Sequence, residues 1–188
     1  MSKRSKLTKV SFLAEYFKKP NTVGAILPSS RYLAQKMVAG IDFDNAKCIV
    51  EYGPGTGVFT ELILQNRRPG TMVIAFEMNG DFCGMLETRF AGQENFKVIN
   101  SSAKDIGAEL KDGQPADYIV SGLPFASLPS DVSASILQET KKHLSANGLF
   151  ITFQYTMLKK GLISEYFSNI EVERVLRNVP PAYVLRCR

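Results

Sequence analysis

Apolar residues recur at helical spacing near the start of the chain, at Leu7, Val10, Leu13, Ala14 and Phe17, with Phe12 and Tyr16 beside the stripe and Pro20 closing it. A second helix is predicted after Pro28-Ser29-Ser30, with Leu33, Met37 and Val38 facing inward and Gly40 as its C-terminal signal. Beyond it the period changes. Cys48-Ile49-Val50 reads as a short apolar strand, followed by a glycine-rich turn and a helix near residues 57–66. Residues 72–76 make the next strand and 81–90 the next helix; 96–99 and 118–120 are a third and a fourth strand. A helix over 132–144, ended by Asn147-Gly148, leads into a fifth strand at 149–153 and a short helix at 162–167. Two last β-rich runs, 170–176 and 182–185, flank the turn Asn178-Val179-Pro180-Pro181. Strands separated by helices of this length imply a parallel sheet covered on both faces, and the closing pair is too near for a helical crossover, so one strand runs antiparallel. The expected architecture is α/β, a seven-stranded, mostly parallel sheet with helices on both faces. Residues 1–40 read as an amphipathic helical extension and 41–188 as the main domain.

Bulk properties narrow the class. At 188 residues and 45% hydrophobic, the chain is the size of one globular domain, without repeats or low-complexity tracts. No apolar run approaches the roughly 20 residues that cross a bilayer, and no apolar leader follows Met1-Ser2-Lys3-Arg4, so a cytoplasmic location is expected. Cys48, Cys83 and Cys187 are widely spaced, which suits reduced core thiols and gives no reason to expect a metal. The formal net charge of +5 favours an anionic partner, nucleic acid or membrane surface. Its distribution is uneven: Lys3, Arg4, Lys6, Lys9, Lys18 and Lys19 crowd residues 1–19, and Arg174, Arg177, Arg186 and Arg188 form a second cluster.

The chemistry-bearing segment is Glu51-Tyr52-Gly53-Pro54-Gly55-Thr56-Gly57, which leaves the first predicted strand and opens a helix. Such a turn lets a ligand approach bare backbone and offers amide donors at a helix N-terminus. A dinucleotide fingerprint would need a third glycine where Val58 or Thr60 stands, and a phosphate loop would need a lysine that is missing. What remains, acid-x-Gly-x-Gly-x-Gly, resembles the first motif of class I methyltransferases, which bind S-adenosyl-L-methionine on a Rossmann-like sheet. Glu77, at the end of the second strand, suits a carboxylate accepting two ribose hydroxyls. Glu51 is placed for the cationic amino end of the methionine moiety.

After the third strand the chain reads Asn100-Ser101-Ser102-Ala103-Lys104-Asp105. Aligned with the Gly-Asp-Ala common in this class, Ser102 replaces the acid that would approach adenine, and Asp105 reads as a capping or surface acid. The fourth strand ends Ser121-Gly122-Leu123-Pro124-Phe125, where amino-group methyltransferases carry [ND]-x-P-[YF] to hold the target amine.

Val23-Gly24-Ala25-Ile26-Leu27-Pro28-Ser29-Ser30-Arg31, the two motifs above, Phe153-Gln154-Tyr155 and Arg177-Asn178-Val179-Pro180-Pro181-Ala182 together resemble bacterial phospholipid N-methyltransferases. That family methylates phosphatidylethanolamine stepwise towards phosphatidylcholine, and the resemblance spans residues 7 to 186. It implies cofactor contacts at Glu51, Gly53, Gly55 and Glu77. The candidate set extends to Tyr52, Gly57, Phe59, Thr60 and Met78 beside them, to Ser102 and Ala103, and to Ser121. On the acceptor side the candidates are Gly122, Leu123, Phe125, Tyr155 and Arg177, with Phe125, Tyr155 and Tyr183 as an aromatic lining, Arg177 as a phosphate clamp, and water or Tyr155 as the proton acceptor. His143, the sole histidine, is expected to be solvated and away from the site.

The related ribosomal-RNA adenine dimethyltransferases carry an asparagine where Gly122 stands, and a C-terminal helical domain where this chain ends at a strand. An adenine amine, conjugated with its ring, needs a side-chain carbonyl that glycine cannot supply; an alkyl amine does not. The resemblance therefore favours a phospholipid substrate, with RNA or a small-molecule amine as the alternative. The basic helix over 7–18 would hold the protein peripherally on the anionic inner face of the membrane.

Overall fold

The computed structural model describes residues 30–110, 113–157 and 160–188. The helix expected over 7–18, the basic block in 1–19 and residues 23–29 of the family motif lie outside the described residues. Seven strands form one sheet: β1 (Cys48–Tyr52), β2 (Met72–Phe76), β3 (Phe96–Ile99), β4 (Ala116–Ser121), β5 (Leu144–Gln154), β6 (Ile170–Val175) and β7 (Ala182–Cys187). Their order is β3-β2-β1-β4-β5-β7-β6. β1 to β5 are parallel, while β7 runs antiparallel to both neighbours, as the short link before it required.

All five residues of β1 are buried, because helices cover both faces of the sheet. On one face α1 (Arg31–Val38) and α2 (Val58–Asn66) pack Leu33, Ala34, Met37, Phe59 and Ile63 against Ile49, Val73, Val120, Ile151 and Val184. The capping hydroxyl of Ser30 accepts the Leu33 N–H at 3.1 Å and starts α1, whose inward residues are those the spacing predicted. The 40/41 boundary drawn from sequence thus separates a core helix from the strand it packs near. On the other face a short 3-10 turn (Ala103–Asp105) runs into α4 (Ile106–Glu109), which packs with α5 (Ser130–His143) and α6 (Lys160–Ser164) on Val50, Tyr52, Ile119 and Phe150. At the far edge α3 (Gly80–Arg89) starts at Asn79 and lies beside β3.

Two expectations are corrected. The helix before β5 ends at His143, not at Asn147-Gly148, and those two residues belong to β5. Pairing shifts register there, from Ala116 opposite Leu144 to Tyr118 opposite Leu149, so the glycine shapes an irregularity in a ladder. A Cβ on Gly148 would lie 2.7 Å from Leu144 Cγ. His143 is half-buried, packed on Gly107 and 3.3 Å from Glu139, where solvation was expected. The three cysteines are free and buried, and burial pushes Cys48 up to about 11 and Cys187 up to about 12. Among the described residues no helix is long and apolar enough to cross a membrane.

Phe150 centres the α5 face, edge-on to Phe125 (6.2 Å) and stacked on Phe167 (5.3 Å). Phe150→Ala is expected to lower stability by about 3–5 kcal/mol in urea unfolding, the cost of an unfilled aromatic cavity. A loss below about 1 kcal/mol would mean that the core closes around the gap.

Candidate functional site

The parallel strands end along one edge, the position where open α/β sheets bind ligands. From β1 the chain turns through Gly53, Gly55 and Gly57 with φ of 63, 53 and 82°, a left-handed backbone that side chains resist. Crowding adds to this at two of the three. A Cβ on Gly53 would lie 2.9 Å from Leu123 Cδ2, and one on Gly57 2.8 Å from Leu86 Cδ2. At Gly55 a Cβ would meet nothing within 4 Å, so this peptide forms the open side of the turn. The turn is fastened from several directions. Gly53 N–H donates to Phe76 O at 2.9 Å, and Gly55 N–H to Glu77 Oε2 at 3.1 Å. Arg89 donates to Thr56 O at 2.6 Å and to Glu61 at 2.7 Å. Sequence reasoning missed Arg89, because nothing in its spacing ties the end of α3 to a turn 33 residues earlier.

Two carboxylates are buried at this edge. Glu51 accepts the Thr60 hydroxyl on Oε2 at 2.7 Å, while Oε1 is buried with no hydrogen-bond partner. Burial pushes its carboxyl up to about 8; the Thr60 bond works against this and the nearby Glu77 charge adds to it. Glu77 accepts Asn79 N–H on Oε1 at 2.9 Å in addition to Gly55 N–H, and burial raises it too. Asn100 donates to the Glu77 backbone carbonyl at 2.9 Å and steadies the end of β2. S-adenosylmethionine carries a cationic amino group and two ribose hydroxyls. The orphaned Glu51 oxygen suits the cation, and each Glu77 oxygen keeps a lone-pair site for a hydroxyl. The residues present fit the group.

Beside Glu77 a narrow apolar cleft is lined by Gly53, Met78, Ser102, Ala103, Leu123 and, from α5 and the loop before it, Leu128, Val132 and Ile136. The first five were expected from sequence. The last three were not, since a helix face gives no sign of which cleft it will wall. Asp105 is exposed and accepts the Ser101 hydroxyl at 2.6 Å, a surface role.

The other candidates divide between core and rim. Tyr52 is fully buried, 3.4 Å from the Thr140 hydroxyl, and reaches the turn only through its backbone. Phe59 packs edge-on to Phe153 in the core. Buried Ser121 accepts the Leu123 N–H at 3.2 Å and shapes the Ser121–Phe125 turn. At Gly122 a Cβ would lie 2.6 Å from Gly53 O, so β1 and β4 approach too closely for any side chain. The expected three-ring lining is not assembled. Phe125 is fully buried against Phe150; Tyr155 lies on the Phe153 face, and Tyr183 pairs with Gln154 on the other. Alternation along a strand separates the two tyrosines. Arg177 is exposed, its guanidinium 5.3 Å over the Tyr32 ring.

Because Glu51 is held above its ordinary 4.5, the folded protein keeps a proton that the unfolded chain releases across about pH 5 to 8. The cofactor-free protein is expected to lose stability as pH rises through that window. Glu51→Gln should flatten the dependence, read as Tm against pH; an unchanged profile would place the titration elsewhere. Gly122→Ala is expected to push the Gly53 turn aside and weaken cofactor binding at least tenfold by calorimetry, a shift of about 1.4 kcal/mol. Wild-type affinity would show that the two strands can part at no cost.

The profile of the ribosomal RNA adenine dimethylase family matches residues 13–163. The ornithine lipid N-methyltransferase of Singulisphaera acidiphila is 32% identical over 181 residues, 94% of each chain. Ribosomal RNA small subunit methyltransferase A of Parasynechococcus marenigrum is 31% identical over 90 residues, which cover 48% of this chain and 29% of that one. In fold the chain resembles the precorrin-6y C5,15-methyltransferase of Geobacter metallireducens, with a TM-score of 0.69 at 13% identity over 83% of this chain and 87% of that one. The chain is a class I methyltransferase that depends on S-adenosylmethionine, and it belongs to the ribosomal RNA adenine dimethylase family.

Proposed function

We propose that the protein methylates the alkyl amine of a membrane-lipid headgroup, with phosphatidylethanolamine carried towards phosphatidylcholine as the first candidate. The ornithine lipid named for its relative offers an amine of the same chemistry. The observation that carries this reading is Gly122. An adenine amine must be drawn out of conjugation by a side-chain acceptor, and the 2.6 Å approach to Gly53 O leaves no room for one at this position. An alkyl amine already has a free lone pair once it is deprotonated.

The bound cofactor supplies an electrophilic methyl group on a sulfonium, and this chain's part is to position and to exclude water. Glu51, Glu77 and the glycine turn would hold the two ends of the cofactor, with Met78, Ser102 and Ala103 lining the cleft beside them. The backbone of Ser121–Leu123 offers carbonyls to the incoming amine. Tyr155, whose phenol is raised by burial against a smaller opposing effect of Asn178, stays protonated at neutral pH. It is then a hydrogen-bond donor, and the amine's proton passes to water. Arg177 holds a lipid phosphate, its guanidinium steadied by the Tyr32 ring. The basic residues in 1–19 support contact with an anionic leaflet.

Tritiated-methyl transfer from S-adenosylmethionine into extracted bacterial lipids, beside ribosomal RNA, tests the assignment. Label is expected in the lipid phase; label in adenine of RNA alone would replace this reading with that of the family's name. Arg177→Ala is expected to raise KM for lipid about tenfold, the worth of one charge-assisted hydrogen bond of about 1.5 kcal/mol, with kcat little changed. An unaltered KM would remove the phosphate clamp.

A further inference from the structure

The loop between β6 and β7 holds two aliphatic side chains out in solvent, Leu176 at 66% exposure and Val179 at 77%. It is anchored at its middle. Buried Asn178 accepts Ser30 N–H at 3.3 Å and donates to Pro180 O at 2.7 Å, tying the loop to the start of α1. Leu176 and Val179 therefore flank a fixed residue. Tyr32, 51% exposed, continues the apolar surface under the Arg177 guanidinium. Exposed Arg31 and Arg177 border it, exposed Arg174 flanks the loop from the other face of the sheet with its guanidinium 5.8 Å over the Tyr183 ring, and residues 174–181 contain no acid. β7 is antiparallel to both β5 and β6, so β6 runs in the same direction as β1 to β5. Its loop therefore leaves the sheet on the edge that carries the glycine turn and Ser121–Leu123.

We propose that Leu176, Val179 and Tyr32 form a wedge that enters an anionic lipid bilayer, with Arg31, Arg174 and Arg177 at the depth of the phosphates. The inference rests on the lipid reading above and adds to it how the cleft is brought to its substrate. A wedge on this edge turns the cofactor cleft towards the headgroups, so a lipid amine needs to rise only a short way to reach it. Charge selects the occupant: a second copy of this chain would bring the same arginines against these, whereas an anionic leaflet complements them. Two protruding aliphatic tips ringed by cations also suit the interfacial zone, where apolar ends descend and guanidinium groups stay in the headgroup layer.

The chain has no tryptophan, so Val179→Trp gives a single indole, at the tip, that can be excited apart from the tyrosines. With vesicles of phosphatidylethanolamine and phosphatidylglycerol, its emission is expected to shift to the blue and to be quenched by brominated acyl chains. Pure phosphatidylcholine vesicles should give less of both. In sedimentation with the same anionic vesicles, Leu176→Glu/Val179→Glu is expected to lower binding about tenfold or more, the scale of losing one buried aliphatic side chain. Arg174→Gln should lower it about fivefold. Calorimetric binding of S-adenosylmethionine, unchanged in the double variant, separates this loss from misfolding. If the protein sediments with vesicles and methylates their lipid while the introduced indole keeps a water-exposed emission open to iodide, the wedge is wrong and the lipid reading stands. If the indole stays in water and no vesicle lipid is methylated, both are wrong.

Discussion

Gly53 and Gly122 touch at the ends of neighbouring strands, and the geometry of the site follows from that contact. Gly122 N–H donates to Tyr52 O at 2.8 Å, and the separation from Gly53 O would not admit a single methyl group. Two backbones this close leave the turn after β1 one course, upward through left-handed glycines and over to Glu77. The open side of that course is the Gly55 peptide. Crowding at Gly53 and Gly57 and openness at Gly55 together make a cradle with one accessible face.

Electrostatics at this edge favour a ligand over the empty fold. A buried carboxylate with one orphaned oxygen is costly to ionise, and Glu51 responds by holding its proton to about pH 8. A cation set against that oxygen would offset the cost, which suits the positively charged cofactor proposed for this edge. Glu77 is better satisfied, because Gly55 N–H and Asn79 N–H donate to its two oxygens, and the first of these also holds the glycine turn. One carboxylate organises the cradle and the other waits for charge.

The proposed acceptor side is built differently. Phe125 belongs to the core, and Tyr155, just past β5, and Tyr183 of β7 are divided between the faces of the sheet. What the acceptor side does have is a rim of exposed arginines and aliphatic tips between α1 and the β6–β7 loop, held in place by Asn178. Relatives named for action on ribosomal RNA and on ornithine lipid match this chain, and the proposed acceptor surface lies beyond the cofactor cleft.

Local pattern determined a great deal of this protein. Alternating strands and helices, one antiparallel strand among the last two, and a glycine turn followed one strand later by an acid were legible, because each depends on spacing along the chain. Asn147-Gly148 misled for the same reason: as a local signal it ends helices, yet here it shapes an irregular ladder with β4. What the tertiary structure alone decided is which residues meet across distant segments. Arg89 reaches back to Thr56, Asn178 clasps Ser30, Leu128 and Ile136 wall the cleft, and Phe125 turns inward to Phe150. Gly122 shows the division most sharply. Sequence marks it only as a glycine in the place of an asparagine, and the fold supplies the reason, a backbone oxygen 2.6 Å from where its side chain would begin.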